Sequence, residues 1–204
     1  MAHDIFRPFE TNLDHDTALS LLREAVVGAD DGELFLERRR SEVLAYDDQR
    51  IRTASYDASE GFGLRAVRGE VAGYAHSTTL DEHALKRAVA TARLAVGDGG
   101  GTLADAPPRT NTVLYTDADP MAEATFPAKI DLLKEIDTFC RELDPRVIQV
   151  SATLAASHQE VVILRPEGTL VTDTRPMSAS TSRSSSKTTA AANLVGWGAV
   201  AVQA

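Results

Sequence analysis

The chain of 204 residues is long enough to bury a core without disulfides, and its 43% hydrophobic and 25% charged residues are typical of a soluble globular protein. Its net charge of −9 argues against a nucleic-acid-binding protein, which needs a basic face. A single cysteine, Cys140, excludes an intramolecular disulfide framework and a thiolate-rich metal site. No apolar run approaches the roughly 20 residues of a membrane span, and no secretory signal pattern is present. We therefore expect a soluble, cytoplasmic protein that binds neither nucleic acid nor membrane.

The first half of the chain predicts a helix, a series of strands and a second helix. After an N-terminal extension over residues 1–16, Asp16 can cap a helix over 17–28, whose apolar residues form one stripe. The sequence Thr79-Leu80-Asp81-Glu82 matches a capping box, so a second helix should begin after Thr79 and end at Gly97. Alternation with a period of two predicts the strands between these helices at 33–40, 41–47, 50–56, 62–68 and 71–77, the last two joined by a turn at Gly69.

The second half predicts a loop, a third helix and further strands. Residues 97–110 are rich in Gly and Pro and predict a loop, followed by a short extended piece at 112–115. A helix at 128–143 carries one apolar face that should pack in the core: Leu132, Leu133, Ile136, Phe139, Cys140 and Leu143. Strands follow at 147–156, 160–165 and 169–174. This order predicts an α+β fold, with a mixed, largely antiparallel sheet of hairpins and two to three helices packed on it.

Residues able to carry chemistry occur singly, and each has a structural interpretation. Gly61-Phe62-Gly63 lacks the third glycine of a dinucleotide loop and opens a strand, which favours a strand start or a bulge. Cys140 could be a nucleophile, but its place on an apolar helix face favours a buried thiol. The acidic residues 117, 119 and 123 are more typical of a solvated loop than of a cation site. The run at 37–40, Glu-Arg-Arg-Arg, suggests a solvated strand face or a contact to acidic neighbours.

The five histidines do not suggest a metal site. No two of them have the i, i+3 or i, i+4 spacing that directs two imidazoles to one metal ion. They are His3, His15, His76, His83 and His158. From the residues alone we assign no catalytic, no cofactor-binding and no metal-ligating residue.

Several segments nevertheless resemble one enzyme family, the TldD/PmbA metallopeptidases, and its TldD branch in particular. The most specific is the run G-x-G-x-R-A-x-x-G-x-x-x-G-[FY]-A, matched by Gly61 to Ala75. The closing segment D-G-T-L-x-x-D-x-R-P is matched by Gly168 to Pro176, with Glu167 in place of the leading Asp. The resemblance covers residues 15–177, and we expect residues 17–177 to form the N-terminal α+β domain of the family.

This resemblance implies a zinc-dependent peptidase that acts on small or unstructured peptides and pairs with a related TldD/PmbA-type subunit, as a hetero- or homodimer. In the family, a helical H-E-x-x-x-H motif and a later cysteine hold the zinc, and the glutamate is the general base. This chain contains no such motif, so those roles pass to none of its residues. We expect a domain truncated before the metal site and inactive alone, or, as the alternative, a non-catalytic partner-binding or substrate-binding module.

Residues 178–204 differ in composition from the rest. They contain Arg183 and Lys187 but no acid, and sixteen of these 27 residues are Ser, Thr or Ala. A shift of reading frame after Met177 would explain the change, and a natural Ser/Thr-rich tail is the alternative. Such a stretch buries too little apolar area to offset its ordering entropy, so we expect residues from about 178 onward to be disordered or poorly packed, and 194–202 to have no partner strand.

Overall fold

A computed structural model describes residues 5–11, 13–97, 102–103, 116–186 and 198–201. His3, the extended piece predicted at 112–115 and most of the predicted loop at 97–110 lie outside the described residues. The chain divides into two compact units. The first comprises residues 1–39, 59–114 and 159–174, and the second comprises 40–58, 115–158 and 175–204.

Helices and one sheet make up the described part of the chain, which confirms the predicted α+β class. The strands lie in the order β3-β2-β1-β4-β5-β6. The pairs β2–β3 and β5–β6 are antiparallel. No helix among the described residues is both long and apolar enough to cross a membrane. In chain order the elements are α1 (Pro8–Thr11), α2 (His15–Ala25), β1 (Asp31–Asp47), β2 (Arg50–Arg68), β3 (Val71–Ser77), α3 (Glu82–Val96), α4 (Phe126–Leu143), β4 (Val147–Leu164), β5 (Leu170–Ser186) and β6 (Gly198–Ala201).

The first unit has a core of leucines from helices and strands. Helix α3 packs against strand β3 and helix α2. Leucines at alternate positions of β1, Leu34 and Leu36, are fully buried, because successive strand residues point to opposite faces of a sheet. The fully buried leucines of this unit are Leu22, Leu34, Leu36, Leu64, Leu85 and Leu164.

The two longer helices of the first unit, α2 and α3, each begin at an aspartate that differs from the predicted cap. The carboxylate of Asp14 accepts a hydrogen bond from Thr17 N at 2.8 Å, so α2 begins before Asp16. The carboxylate of Asp81 accepts from Ala84 N at 2.7 Å and caps α3, so the predicted capping box at Thr79 does not form. An aspartate caps a helix as well as a threonine does. Asp14 and Asp81 have the extended backbone angles of an N-cap residue.

The core of the second unit lies between α4 and the sheet. Thr125 caps this helix, and its buried residues are Lys129, Ile130, Leu133 and Asp137. The predicted core face is therefore wrong in part: Leu132, Phe139 and Leu143 are 44%, 61% and 68% exposed, and Cys140 is only partly buried. The buried face of α4 is thus rotated about the helix axis relative to the predicted apolar face. Hydrophobicity alone could not reveal this rotation, because two of the buried residues, Lys129 and Asp137, are charged. The core cluster contains Leu44, Tyr46, Ile130, Leu133 and Ala152.

The strands are longer than the alternation predicts. β1, β2 and β4 each join two predicted strands into one. β5 runs to Ser186, so residues 178–186 are strand and the disorder expected there is not found. Residues 179–182 pair with residues 198–201 of β6, which corrects the expectation that 194–202 has no partner strand. Backbone hydrogen bonds to both neighbouring strands order this Ser/Thr-rich segment, and threonine fits a strand well.

Candidate functional site

The most distinctive polar group in the second unit surrounds Arg40 on β1. Its Nη1 lies 3.1 Å from Asp119 Oδ2, and its Nη2 lies 3.1 Å from His158 Nδ1 on β4. Asp119 and His158 are only 6% and 4% exposed. The acidic connector, residues 116–125 directly before α4, is therefore not a fully solvated loop, since Asp119 lies in the protein interior. The alternative interpretation of the basic run, contact with acidic neighbours, is confirmed for Arg40.

The contact with Arg40 determines the tautomer of His158. An arginine has hydrogen-bond donors but no acceptor, so Nδ1 of the imidazole must accept. The proton of the neutral ring then resides on Nε2.

A second buried ion pair lies two residues further along β1. Lys129 Nζ on α4 donates to Glu42 Oε1 at 2.8 Å and to the carbonyl oxygen of Met121 at 2.7 Å. Asp119 Oδ1 in turn accepts from the backbone N of Met121 at 2.9 Å. The connector is thus attached through Asp119 and Met121 to side chains of one strand and one helix. These charges neutralise one another in pairs, which suits a structural role.

The first unit carries polar contacts of its own. Arg38 Nη2 donates to Glu160 Oε2 at 2.9 Å, and Glu160 Oε1 accepts from the backbone N of Phe6 at 2.9 Å. The guanidinium of Arg38 also lies 5.5 Å from the centroid of the Phe6 ring, within the range of a cation–π contact. Glu160 therefore anchors the segment before α1 to strand β4.

A network of four charged residues extends across three strands of the first unit. Arg65 on β2 donates to Asp31 Oδ2 at 2.9 Å and to Glu33 Oε1 at 3.1 Å, both on β1. Arg165, directly after β4, donates to Glu33 Oε2 at 3.0 Å. Two arginines and two carboxylates balance in charge, which leaves no excess charge to attract a charged substrate.

The remaining candidate residues do not form a site. His15 is hydrogen-bonded to Asp16 at 3.1 Å, and the ring of His76 lies 5.8 Å from that of Tyr74. Among the described residues, no three His, Cys, Asp or Glu side chains form a group that could hold a metal ion. The described residues thus do not fit the zinc that the resemblance implies, and we derive no chemical step through it.

Comparison with known proteins shows to which family this architecture belongs. A model described as PmbA/TldA metallopeptidase domain 1 matches residues 32–96, and one described as the PmbA/TldA metallopeptidase central domain matches residues 119–192. The chain belongs to the PmbA/TldD metallopeptidase family. The second match continues past Met177, where the composition changes.

Curated relatives agree with this assignment. The metalloprotease TldD homolog of Buchnera aphidicola from Acyrthosiphon pisum is 29% identical over 164 residues, which are 80% of this chain and 34% of that protein. The homolog of Haemophilus influenzae is 30% identical over 152 residues, 72% of this chain and 31% of that protein. The chain spans about a third of the length of these relatives.

Solved structures of similar fold have much lower sequence identity. A proposed modulator of DNA gyrase from Thermotoga maritima has a TM-score of 0.71 at 12% identity, covering 92% of this chain and 42% of that one. A second, from Bacteroides thetaiotaomicron, has a TM-score of 0.68 at 16% identity, with 93% and 45% covered. TldE from Thermococcus kodakarensis has a TM-score of 0.62 at 13% identity, with 90% and 42% covered. At such identities these likenesses concern the fold alone.

The run that most resembles the PmbA/TldD family builds a hairpin. Gly61 and Gly63 lie within β2, and Gly63 is opposite His76 of β3, so they belong to a strand and not to a phosphate-binding loop, although the strand starts earlier, at Arg50, than predicted. Gly69 has a φ of +56° in the turn, a conformation that favours glycine. At Gly73, a Cβ atom would overlap the carbonyl oxygen of Ala92 on α3. In this chain the run therefore shapes a hairpin and its packing against a helix.

Sequence reasoning missed the buried charges, although one signal was available. Arg38, Arg40 and Glu42 have the same parity along β1 as the buried residues Leu36 and Leu44. Because alternate strand residues share a face, these three side chains had to lie on the inward face. Their partners Asp119 and Lys129 lie far away in sequence, so no local pattern could identify them.

Proposed function

We propose that this chain supplies the first and central domains of a TldD-like metallopeptidase that acts on small or unstructured peptides. The observation that carries the proposal is the pair of consecutive family matches at 32–96 and 119–192. The names of the curated relatives, metalloprotease TldD homolog, support the reaction class. Pairing with a related TldD/PmbA-type subunit is part of the proposal, and likeness of fold to a TldE supports it.

The role proposed for this chain is to build the walls of the site and not to perform the chemical step. Its sequence contains no H-E-x-x-x-H motif, and the charged clusters of both units are internally neutralised. Zinc and the general base would therefore come from residues other than these. A cytoplasmic location belongs to the same proposal, and the free thiol of Cys140 is compatible with a reducing compartment.

A non-catalytic module for binding a partner or a substrate is the second candidate. The missing zinc motif favours it. The two proposals differ in whether these domains can support peptide hydrolysis when joined to the remainder of a TldD-type protein.

A chimera tests this difference. The region of the Haemophilus influenzae TldD homolog that aligns with this chain is replaced by the aligned residues of this chain, and hydrolysis of an unstructured peptide is measured beside the parent protein. We expect the chimera to bind zinc and to cleave the peptide. The comparison requires a parent preparation that is active under the same conditions.

The control separates a failure of function from a failure of folding. Zinc content, elution volume and thermal unfolding are measured for the chimera and for its R40A variant, in which Asp119 loses its buried partner. A chimera that is folded and zinc-loaded but inactive would contradict the peptidase proposal and favour the binding module. We expect the R40A variant to be the less stable of the two.

A further inference from the structure

Helix α4 carries an exposed apolar seam on the surface of the second unit. The seam consists of Leu132, Ile136, Phe139 and Leu143, spaced by four, three and four residues. Leu132, Phe139 and Leu143 are 44%, 61% and 68% exposed, and Ile136 is partly buried. This is the a/d spacing by which one helix packs against another in a coiled coil. A shallow groove of about 460 Å³ lies beside Phe139.

One flank of the α4 seam is open to solvent, and its charged residues beside the seam are acidic. Glu135 and Glu142 each precede a seam residue and lie seven residues apart, which makes them the g positions of two successive heptads. Both are exposed. Asp131, on the same side, is neutralised by Lys134 at 2.9 Å. The opposite flank is closed to a partner, because Leu133 there is 1% exposed and packs in the unit's own core.

A second copy of this chain fits the seam poorly. Antiparallel pairing of α4 with another α4 would bring g positions together, so that Glu135 and Glu142 would face their own counterparts. Like charges in such positions repel each other. Parallel pairing would place each glutamate against the flank that Leu133 occupies, which the sheet already covers.

We propose that the α4 seam is the docking site for a basic amphipathic helix of another protein. Such a helix would supply apolar residues at its a and d positions and Lys or Arg on the flank that meets Glu135 and Glu142. The proposal concerns an interaction surface, and it holds whether or not the peptidase proposal is correct.

The test uses the full 204-residue chain and two synthetic three-heptad peptides. Both peptides have Leu and Ile at a and d; one has Lys and Arg at e and g, and the other has Glu there. Fluorescence anisotropy is expected to show binding of the basic peptide at least about tenfold tighter than of the acidic one, since opposite charges select the partner. The binding should weaken with added salt, because the pairing charges are exposed.

Two variants and a matched control identify the surface. We expect E135K/E142K to reverse the preference towards the acidic peptide. We expect F139A/L143A to weaken binding of the basic peptide about tenfold or more, since aromatic anchors dominate helix docking. The control E60K/E70K changes the net charge by the same amount, at two exposed residues of the first unit, and should leave the preference unchanged. All these positions are exposed, and circular dichroism checks the fold of each variant.

Three outcomes would overturn the proposal. The first is that both peptides bind equally well or that neither peptide binds. The second is a preference that E135K/E142K leaves unchanged or that E60K/E70K alters equally. The third is self-association of the chain that F139A/L143A abolishes in sedimentation experiments, which would assign the seam to a second copy.

Discussion

At the scale of single residues, the chain places charged side chains where an apolar pattern would predict a core. Lys129 is 6% exposed and its ammonium group depends on Glu42 and on the carbonyl oxygen of Met121. A buried charge is tolerated only when it is paired and hydrogen-bonded. The same logic applies to Asp119 beside Arg40. These pairs fix the position of the connector and of α4 within the second unit.

Removing one member of the Lys129–Glu42 pair should destabilise the protein strongly. We expect K129M to lower the free energy of unfolding by about 3–5 kcal/mol, because Glu42 would remain buried without its cation. The double variant K129M/E42M should recover much of this loss, since an apolar pair can replace a buried ion pair. Urea denaturation followed by circular dichroism measures both. A K129M protein as stable as the parent would show that Glu42 has access to water.

Gly73 contributes to stability by having no side chain, because a Cβ atom there would overlap the carbonyl oxygen of Ala92. We expect G73A to lower the free energy of unfolding by about 1–3 kcal/mol, because helix α3 must move away from β3 to accommodate the methyl group. E70A, an exposed change in the same hairpin, should alter stability by no more than about 0.5 kcal/mol. Equal stability of G73A and E70A in thermal unfolding would contradict the close packing at this glycine.

At the scale of elements, the ends of helices depend on single side chains. Asp81 caps α3. We expect D81A to cost about 1 kcal/mol of stability, the usual loss when a helix loses its N-cap oxygen, and T79A to cost much less. Chemical denaturation of the two variants compares them directly. If T79A were the more destabilising change, the helix would begin with the capping box that the sequence suggests.

The end of α4 gives a prediction about pH. A salt bridge with the Arg146 side chain and a hydrogen bond from its backbone N lower the pKa of Asp144 from 3.8 to about 2. The folded-state pKa is the lower one, so ionised Asp144 stabilises the fold above about pH 3.8, and this contribution is lost as the pH falls through 2. In R146A we expect the pKa to rise towards 3.8. Carboxyl chemical shifts followed by NMR titration measure this, and an unchanged midpoint would refute the pairing.

The sequence predicts the existence of these elements better than it predicts their extent. Alternation and helical spacing correctly place β3, the three long helices and most of β1, β2 and β4, but only the first five residues of β5. The pattern breaks where Arg38, Arg40 and Glu42 interrupt the alternation of β1, so two strands are predicted where one exists. It fails again on α4, because Lys129 and Asp137 turn inward to ion-pair partners, Glu42 and Arg141. Glu42 lies 87 residues from Lys129 in the sequence, a contact that local periodicity does not contain, whereas Arg141 is four residues from Asp137 on the same helix.

At the scale of the whole molecule, the chain belongs to the PmbA/TldD metallopeptidase family and spans about a third of the length of its curated relatives. The family-like run shapes a hairpin, and each unit has a cluster in which arginines and carboxylates form ion pairs. The seam on α4 is the surface that we propose for a partner. We therefore expect a protein whose contribution to peptide hydrolysis is architectural.

The most direct test of this account is a measurement on the purified 204-residue chain alone: its zinc content, determined together with its cleavage of an unstructured peptide. A catalytic zinc needs three protein ligands and an open position, which the sequence spacing of these histidines and of Cys140 does not suggest. We predict far less than one zinc per chain after dialysis against zinc-containing buffer, and no cleavage above the rate without protein. One tightly bound zinc per chain, accompanied by peptide cleavage that a chelator abolishes, would contradict the account.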